Sequence, residues 1–278
     1  MSTYDAPLRE LVSRALAEDI GPGDVTARLL PETLTGTADI LAKTGLVVAG
    51  FAPFLEVYRQ VDPSVEVTFT GPEGASVGPR TVVGTVRGSA RSLLTGERTA
   101  LNFMQRLSGI ATFTRACVDQ VAGTKTQIAD TRKTTPGLRS LEKAAVRAGG
   151  GKNHRFGLFD GVLIKDNHIA ALGGVAAAIT RAREEAHHLL RVECEVTTIE
   201  ELEQALAARA DVILLDNMST AMMREAVDRT AGRAVLEASG NMTLGRLAEV
   251  AATGVDLISM GALTHTVVAA DISLEYRA

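Results

Sequence analysis

The chain has 278 residues, of which 46% are hydrophobic and 22% charged, and its formal net charge is −4. That length accommodates one large domain or two moderate ones, and the composition is typical of a globular protein with a buried core. The negative charge argues against general nucleic-acid binding, and the sequence contains no apolar run long enough to span a membrane.

The N-terminal segment and the cysteines predict the cellular compartment. The first 21 residues mix acidic residues into an amphipathic pattern and lack the basic and apolar regions of a signal peptide. Cys117 and Cys194 stand alone and form no CxxC pair, so neither a zinc site nor a disulfide framework is expected. We therefore expect a cytoplasmic protein.

The first part of the chain is predicted as a helix followed mostly by strands. Apolar residues recur at helical spacing from Leu8 to Leu16, and the glycines and proline of residues 18–26 end that helix. Segments 37–51, 65–70 and 80–88 are rich in β-forming residues. A second helix is expected from about residue 92 to 121, with one apolar side formed by Leu101, Met104, Leu107 and Ile110.

Strands and helices alternate after residue 121. The short apolar runs predicted as strands are 127–130, 162–165, 192–196, 212–216, 234–240 and 256–261. The helices between them are expected near 138–148, 173–188, 199–208, 219–229 and 243–252. This alternation favours a parallel sheet with right-handed crossovers, either a complete or shortened TIM-type barrel or, as the alternative, a doubly wound open sheet.

Polar residues and glycines follow most of these strands. Both candidate folds bind ligands at the carboxyl ends of their strands, so the choice between them does not move the expected site. The residues at those ends are Arg132, Lys133, Lys165, Glu195, Asp216, Ser239, Gly240 and Gly261. The sequence therefore predicts a site that combines cations, carboxylates and backbone amides.

Positive charge is concentrated between Thr131 and Arg155, where seven Lys or Arg residues accompany one acid. A local excess of this kind in an acidic chain attracts a small anion. Lys143 and Arg147 lie on the following predicted helix and are interpreted as a solvated face. The cations assigned to ligand binding are Arg132, Lys133, Arg155 and Lys165, with His154 beside them.

The acidic residues have two interpretations. Glu193 and Glu195 point to the same side of their strand and need partners, either Lys or Arg side chains or a divalent metal such as Mg²⁺. The tripeptides 238–240 and 260–262 follow the last two strands, where barrels often bind phosphate through backbone amides. His168 fits a structural hydrogen-bonding role and a catalytic role equally well.

Several of these segments together resemble one family, the quinolinate phosphoribosyltransferases. The resemblance covers almost the whole chain and is most specific between residues 130 and 168. The segments that carry it are ERTALNFMQRLSGIAT (97–112), DTRKTTPGLR (130–139), EKAAVRAGGGKNHRFGLFDGVLIKDNH (142–168), ECEVTTIEEL (193–202), LLDNMS (214–219), LEASG (236–240) and GALTH (261–265).

The resemblance implies an α/β fold with two domains. An N-terminal α/β sandwich domain is expected over residues 1–110 and an incomplete, TIM-like α/β barrel over 111–267, with the tail 268–278 packing back on the first domain. The implied reaction joins quinolinate to phosphoribosyl pyrophosphate with Mg²⁺ and yields nicotinate mononucleotide, pyrophosphate and CO₂ in de novo NAD biosynthesis. A homodimer, which can assemble further into a hexamer, is also implied, with Arg98 completing the partner's site.

The resemblance also implies roles for individual residues. The dicarboxylate is expected to contact Thr131, Arg132, Lys133, His154, Arg155 and Lys165, with Arg98 supplied by the partner. Glu195 and Asp216 are expected to contact the ribose phosphate and to hold the metal, and Lys133 or Lys165 to assist decarboxylation. The phosphate pocket is expected at Ser239, Gly240, Asn241, Met260, Gly261, Ala262 and His265. Asn241 departs from the family, which commonly has a second glycine there.

Three other functions remain open on the sequence. A related barrel protein associated with molybdate-transport operons shares the architecture, but its central block differs from the one found here. A phosphoribosyltransferase acting on nicotinate would leave part of the cation cluster unpaired. A non-catalytic protein that binds anions or nucleotides could use the same strand ends, although Glu195 and Asp216 beside the cations favour catalysis.

Overall fold

The structure, a computed structural model, describes residues 5–277 of the chain. Residues 1–4 and 278, which the predicted domain limits include, lie outside that range. The chain forms two units. The first unit contains the residues up to 113, residues 136–150 and those from 267 onward, and the second unit contains residues 114–135 and 151–266.

The first unit is built around an antiparallel sheet. Its elements up to the long helix are α1 (Asp5–Ile20), β1 (Thr35–Ala42), β2 (Leu46–Val47), α2 (Phe51–Val61), β3 (Glu66–Phe69), β4 (Ser76–Val77), β5 (Thr81–Ser89) and the first part of α3 (Ala90–Gln120). Later parts of the chain add α4 (Arg139–Ala148) and β12 (Ile272–Arg277). The main sheet has the order β12-β1-β5-β3, and β2 and β4 form a separate pair.

Helix α2 was not predicted, because the sequence pattern of this part of the chain was interpreted as mostly strands. Phe54, Val57 and Tyr58 recur at helical spacing and are fully buried in the core of the first unit. Gly50, with φ 98°, precedes the helix in the left-handed conformation that glycine tolerates. The segment after Gly50 therefore forms a helix whose apolar side belongs to the same core as the strands of the sheet.

Helices α3 and α4 supply further core residues of the first unit. The predicted apolar side of α3 is confirmed, since Leu101, Met104, Leu107 and Ile110 are all buried. On α4 the prediction of a solvated basic face is wrong for Lys143, which is 2% exposed, whereas Arg147 is exposed. Buried Glu142 beside Lys143 accepts hydrogen bonds from the Arg106 guanidinium on α3.

The second unit is built on a parallel sheet. Its strands are β6 (Gln127–Ala129), β7 (Val162–Ile164), β8 (Val192–Val196), β9 (Val212–Asp216), β10 (Val235–Ser239) and β11 (Leu257–Ser259). Its helices are α5 (Asp166–Leu172), α6 (Val175–Glu185), α7 (Ile199–Ala207), α8 (Thr220–Thr230), α9 (Leu247–Ala251) and α10 (Ala262–His265), after the last residues of α3. All six predicted strands are present, and α5 and α10 were not predicted.

The strand order distinguishes the two predicted architectures. The sheet runs β6-β11-β10-β9-β8-β7, so each strand from β7 to β11 is added on the same side of the one before it. A doubly wound sheet would reverse direction, whereas pairing of the first strand with the last is the pattern of a barrel. Lys152 bridges the free edge of β6, and the described residues show no pairing that closes β6 to β7. The second unit is therefore an incomplete barrel.

Buried apolar side chains cover one face of these strands. Cys194, Ile213 and Leu215 share that face through the pairing of β8 with β9, and all three are fully buried. Across residues 5–277, no helix has both the length and the apolar character that crossing a membrane requires.

Candidate active site

A cavity of about 440 Å³ lies at the carboxyl ends of the parallel strands in the second unit. Eleven of the predicted site residues line it: Thr131, Arg132, Lys133, His154, Arg155, Lys165, Glu195, Asp216, Ser239, Gly240 and Asn241. Further lining residues, which were not predicted as site residues, are Leu163, Leu214, Asn217, Glu237 and Ser259. The strand ends thus bring together residues that are more than 100 positions apart in sequence.

A larger cavity, about 790 Å³, lies at the opposite, amino-terminal ends of the strands. Three of its basic residues serve structural contacts: Arg183 pairs with Asp211, Lys125 pairs with Asp256, and Arg233 donates to carbonyl oxygens at the end of α8. Barrel enzymes carry their reactive groups at the carboxyl ends of the strands. The smaller cavity, which lies at those ends and is lined by basic and acidic side chains, is therefore the candidate active site.

Two arginines interact within the smaller cavity. Arg155 donates from Nη1 to the Gly161 carbonyl oxygen at 2.8 Å, which holds the guanidinium against the loop before β7. Its Nε is buried and has no hydrogen-bond partner among the described residues. Burial and the positive charge of Arg132 lower the pKa of Arg155. Because two positively charged side chains repel each other in this cavity, the cavity favours an anionic ligand.

The backbone around Lys133 is fixed by two hydroxyl groups. Its amide donates to Thr131 Oγ1 at 3.0 Å, and Thr264 Oγ1 donates to its carbonyl oxygen at 2.7 Å. A Cβ added to Gly261 would lie 2.7 Å from Lys133 Cδ, so the absence of a side chain there leaves room for the lysine. The turn after β6 therefore presents Lys133 in a defined position.

Lys165 follows β7 and faces a carboxylate of β8. Its Nζ lies 3.0 Å from Glu195 Oε2, and about half of the lysine side chain remains exposed. The Lys165 amide donates to His168 Nδ1 at 3.0 Å in a capping arrangement at the start of α5. His168 thus has the structural role, one of the two roles that the sequence left open.

Asp216 is positioned by a network of two asparagines. Asn217 donates from Nδ2 to Asp216 Oδ2 at 2.8 Å, and Asn241 donates to Asn217 Oδ1 at 3.1 Å. A Cβ on Gly240, whose φ is 87°, would collide with the side chain of Asn217. Glycine at this position therefore leaves room for the Asn217 side chain. The Asp-Asn pair at the end of an apolar run was the sequence signal for Asn217.

The floor of the cavity contains a histidine and two buried acids. His154 Nε2 lies 3.0 Å from Glu193 Oε2 and 3.7 Å from Glu237 Oε2. Burial and the negative charge of Glu193 raise the pKa of Glu237 to about 7. Asp130, also buried, accepts from the His154 amide and from Asn153. An acid inside the apolar run 234–240 was the signal that could have identified Glu237.

Five predicted site residues do not line this cavity. Met260 is buried, and Gly261, Ala262 and His265 belong to the segment that packs beside Lys133. Arg98 is exposed on α3 within the first unit. The roles that the resemblance implies for these five residues stay predictions.

The donor set of the cavity is compatible with Mg²⁺. Glu195 and Asp216 offer carboxylate oxygens, the ligand type that Mg²⁺ prefers. Each of them also has a second oxygen beyond the one that contacts Lys165 or Asn217. Because Mg²⁺ usually keeps waters and takes substrate phosphate oxygens, two protein carboxylates are enough to hold it.

The fold and this cavity define an α/β-barrel enzyme that acts on anionic small molecules. The family models for the N-terminal and C-terminal domains of quinolinate phosphoribosyl transferase match residues 24–108 and 110–275. The chain belongs to the quinolinate phosphoribosyltransferase family, and its activity is that of an enzyme transferring a pentosyl group.

Relatives and solved structures agree with this assignment. A probable nicotinate-nucleotide pyrophosphorylase [carboxylating] of Bacillus subtilis is 45% identical, over 96% of this chain and 93% of its own. The corresponding protein of Synechocystis is 46% identical over 89% of this chain and 85% of its own. The nicotinate-nucleotide pyrophosphorylase structure from Francisella tularensis superposes with a TM-score of 0.95 at 42% identity, covering 98% and 96% of the two chains. The predicted fold class is confirmed.

Proposed function

We propose that the cavity of the second unit is where this chain transfers the phosphoribosyl group of phosphoribosyl pyrophosphate to quinolinate. The reaction is decarboxylating, yields nicotinate mononucleotide, pyrophosphate and CO₂, and belongs to NAD biosynthesis. One observation carries the location: four cations line a single cavity together with the carboxylates of Glu195 and Asp216, and these residues come from four strand ends and the loop before β7. Such a mixture matches two polyanionic substrates and a positively charged transition state.

The cations are assigned to quinolinate. This pyridine carries two carboxylates, and the fork of an arginine can bind a carboxylate through two parallel hydrogen bonds. Arg132, Arg155 and Lys165 line the cavity within one region of charge, together with Lys133 and His154. Thr131 contributes through its contact with the Lys133 amide.

The carboxylates are assigned to phosphoribosyl pyrophosphate and Mg²⁺. Glu195 and Asp216 would hold the ion, which supplies positive charge to the departing pyrophosphate when it is bound. Ser239 ends β10, and Gly240 and Asn241 follow it. These residues would bind the terminal phosphate through backbone amides, with Met260, Gly261, Ala262 and His265 on the neighbouring segment. Asn241 retains the amide of the glycine common in the family.

The chemistry needs no protein nucleophile. Loss of pyrophosphate leaves positive charge at the anomeric carbon of the ribose, which Glu195 or Asp216 stabilises, and the ring nitrogen of quinolinate attacks that carbon. Decarboxylation then breaks the bond to the departing CO₂ and leaves its electron pair on the ring carbon beside the cationic nitrogen, and a proton from solvent at that carbon completes the product. We assign assistance of that step to Lys133 or Lys165.

The function is tested by product analysis. Incubation with quinolinate, phosphoribosyl pyrophosphate and Mg²⁺ is expected to yield nicotinate mononucleotide and CO₂ in equal amounts, measured by chromatography and by release of labelled CO₂. Nicotinate in place of quinolinate is expected to yield little product, because a monocarboxylate leaves part of the cation cluster unpaired. Product from nicotinate but none from quinolinate would contradict the assignment. Binding of both substrates without any product would show a binding protein and no enzyme for this reaction.

We also propose a homodimer in which Arg98 completes the partner's site. The exposed position of Arg98 on α3 is compatible with contact to a second copy. When Arg98→Ala and Lys165→Met chains are co-expressed with different tags, the purified heterodimer contains one site with both changes and one with neither. It is expected to have about half the wild-type activity, although each parent is nearly inactive.

The matched control is a heterodimer of Lys165→Met and Glu195→Gln chains. Both residues belong to the same unit and form one ion pair, so each site of this heterodimer carries one defect and activity is not restored. A heterodimer of the first kind that is no more active than its parents would remove Arg98 from the partner's site.

A further inference from the structure

The floor of the cavity holds two buried acids, Glu193 and Glu237, that the proposed chemistry does not use. Glu193 is 7% exposed and Glu237 1% exposed, and the imidazole of His154, which lines the cavity as Glu237 does, lies beside both acids. His154 Nε2 is within hydrogen-bond distance of Glu193, at 3.0 Å, but not of Glu237, at 3.7 Å. The imidazole is therefore hydrogen-bonded to one buried acid, Glu193, and lies beside a second, Glu237.

These acids need positive charge nearby. The Oε1 atoms of Glu193 and Glu237 are both buried without a hydrogen-bond partner among the described residues. Uncompensated charge in such a position is expensive, since a buried carboxylate loses its hydration. Protonation of one acid lowers the cost, in agreement with the raised pKa of Glu237, but the other acid still requires a cation.

The neighbouring charged groups leave that role to His154. From the end of β6 the buried acid Asp130 adds further negative charge, and from β11 Ser259 is hydrogen-bonded to Glu237. Arg155 is a second cation that interacts with Glu193, but its guanidinium donates to the Gly161 carbonyl oxygen and is repelled by the charge of Arg132. The imidazole makes the direct contact, and a charge-assisted hydrogen bond favours its protonated form.

We propose that Glu193 is a positioning residue for His154: its buried carboxyl group fixes the imidazole in one orientation and in its cationic form, so that His154 acts as a further cation toward the dicarboxylate substrate. This inference rests on the proposed function for the identity of the ligand. The charge state of His154 in the substrate-free protein does not depend on that identity and is tested separately.

The two acids provide a matched pair of variants. Glu193→Gln keeps the size and the acceptor oxygen of the side chain but removes the charge that contacts Nε2. Glu237→Gln makes the same change at the acid that lies beyond hydrogen-bond distance, and its amide resembles the protonated carboxyl group. Glu193→Gln is therefore expected to change the orientation and charge of the His154 imidazole more than Glu237→Gln does.

The first measurement is the titration of His154 followed by NMR of the histidine rings. The chain has five histidines, and His154→Asn identifies the signal by its disappearance. In the wild type the midpoint is expected above the ordinary value of about 6.5, and Glu193→Gln is expected to lower it by about one pH unit or more. A wild-type His154 that is neutral at pH 7, or an unchanged midpoint in Glu193→Gln, would overturn the proposal.

The second measurement separates the two substrates. Glu193→Gln is expected to raise KM for quinolinate by about tenfold while KM for phosphoribosyl pyrophosphate changes by less than about twofold. Glu237→Gln is expected to give a smaller rise. In a His154→Asn background the Glu193 substitution is expected to add little, because it acts through the ring. Equal rises in both KM values, or full additivity with His154→Asn, would contradict a positioning role.

Two further outcomes are informative. Stoichiometric binding of Zn²⁺ or Mn²⁺ to the substrate-free protein, measured by calorimetry and lost in both Glu193→Gln and His154→Asn, would overturn the proposal by making these residues metal ligands. If the wild type makes no product from quinolinate but the NMR midpoint shifts as expected, the proposed substrate is wrong and the positioning of His154 stands.

Discussion

Lys165→Met is expected to lower kcat/KM for quinolinate by about 100- to 1,000-fold, the usual range for removing a positioned charge from an active site. Methionine keeps the length of the side chain but leaves Glu195, whose Oε2 lies 3.0 Å from Lys165 Nζ, without its ion pair. Because the lysine side chain is half exposed, the free energy of unfolding should fall by only about 1 kcal/mol or less. Initial rates at varied quinolinate and a thermal melt measure the two effects.

Lys125→Met is the control for charge removal elsewhere in the same unit. Lys125 pairs with Asp256 at the opposite ends of the strands, so its substitution should leave kcat/KM close to the wild-type value. A fall of less than about threefold in Lys165→Met would exclude Lys165 from quinolinate binding and from decarboxylation.

Asp216→Asn is expected to lower kcat by about 100-fold or more. The asparagine has nearly the same shape and can still accept the hydrogen bond from Asn217, so the loss is one of charge. The proposed stabilisation of the anomeric carbon and the proposed Mg²⁺ ligand disappear together. The Mg²⁺ concentration for half-maximal rate should therefore rise, by about tenfold, when rates are measured against free Mg²⁺.

Asp228→Asn, on the exposed surface of α8, is the matched control and should change neither kcat nor the Mg²⁺ dependence. If Asp216→Asn lowers kcat but leaves the Mg²⁺ dependence unaltered, Asp216 stabilises positive charge on the ribose but does not bind Mg²⁺. If wild-type activity survives thorough chelation of divalent cations, Glu195 does not bind a required Mg²⁺ either.

The location of the site could be predicted from local sequence because it depends on strand ends. Most of the apolar runs in the second half of the chain end in a polar residue or glycine, and parallel strands bring those ends to one edge. Arg132, Lys165 and Asp216 were identified in this way before any spatial information, and all three line the cavity.

The contacts within the site could not be predicted in the same way. Nothing local in the sequence indicates that His154 meets Glu193 or lies near Glu237, because those contacts depend on how three separate segments pack. Residues 136–150 follow the first strand of the barrel but belong to the first unit. No sequence pattern indicates that this segment leaves the barrel. Helix α5 was missed because its seven residues are too few to show a clear helical period.

The pairing of β12 with β1 has a consequence for synthesis on the ribosome. Ala42 pairs with Ile272 and Thr37 with Arg277, so the first strand of the first sheet receives this neighbour only after all the residues of the second unit have been synthesised. One side of β1 therefore stays an open edge during that part of translation, able to pair with other nascent chains. Completion of the first sheet has to wait for synthesis of the second unit.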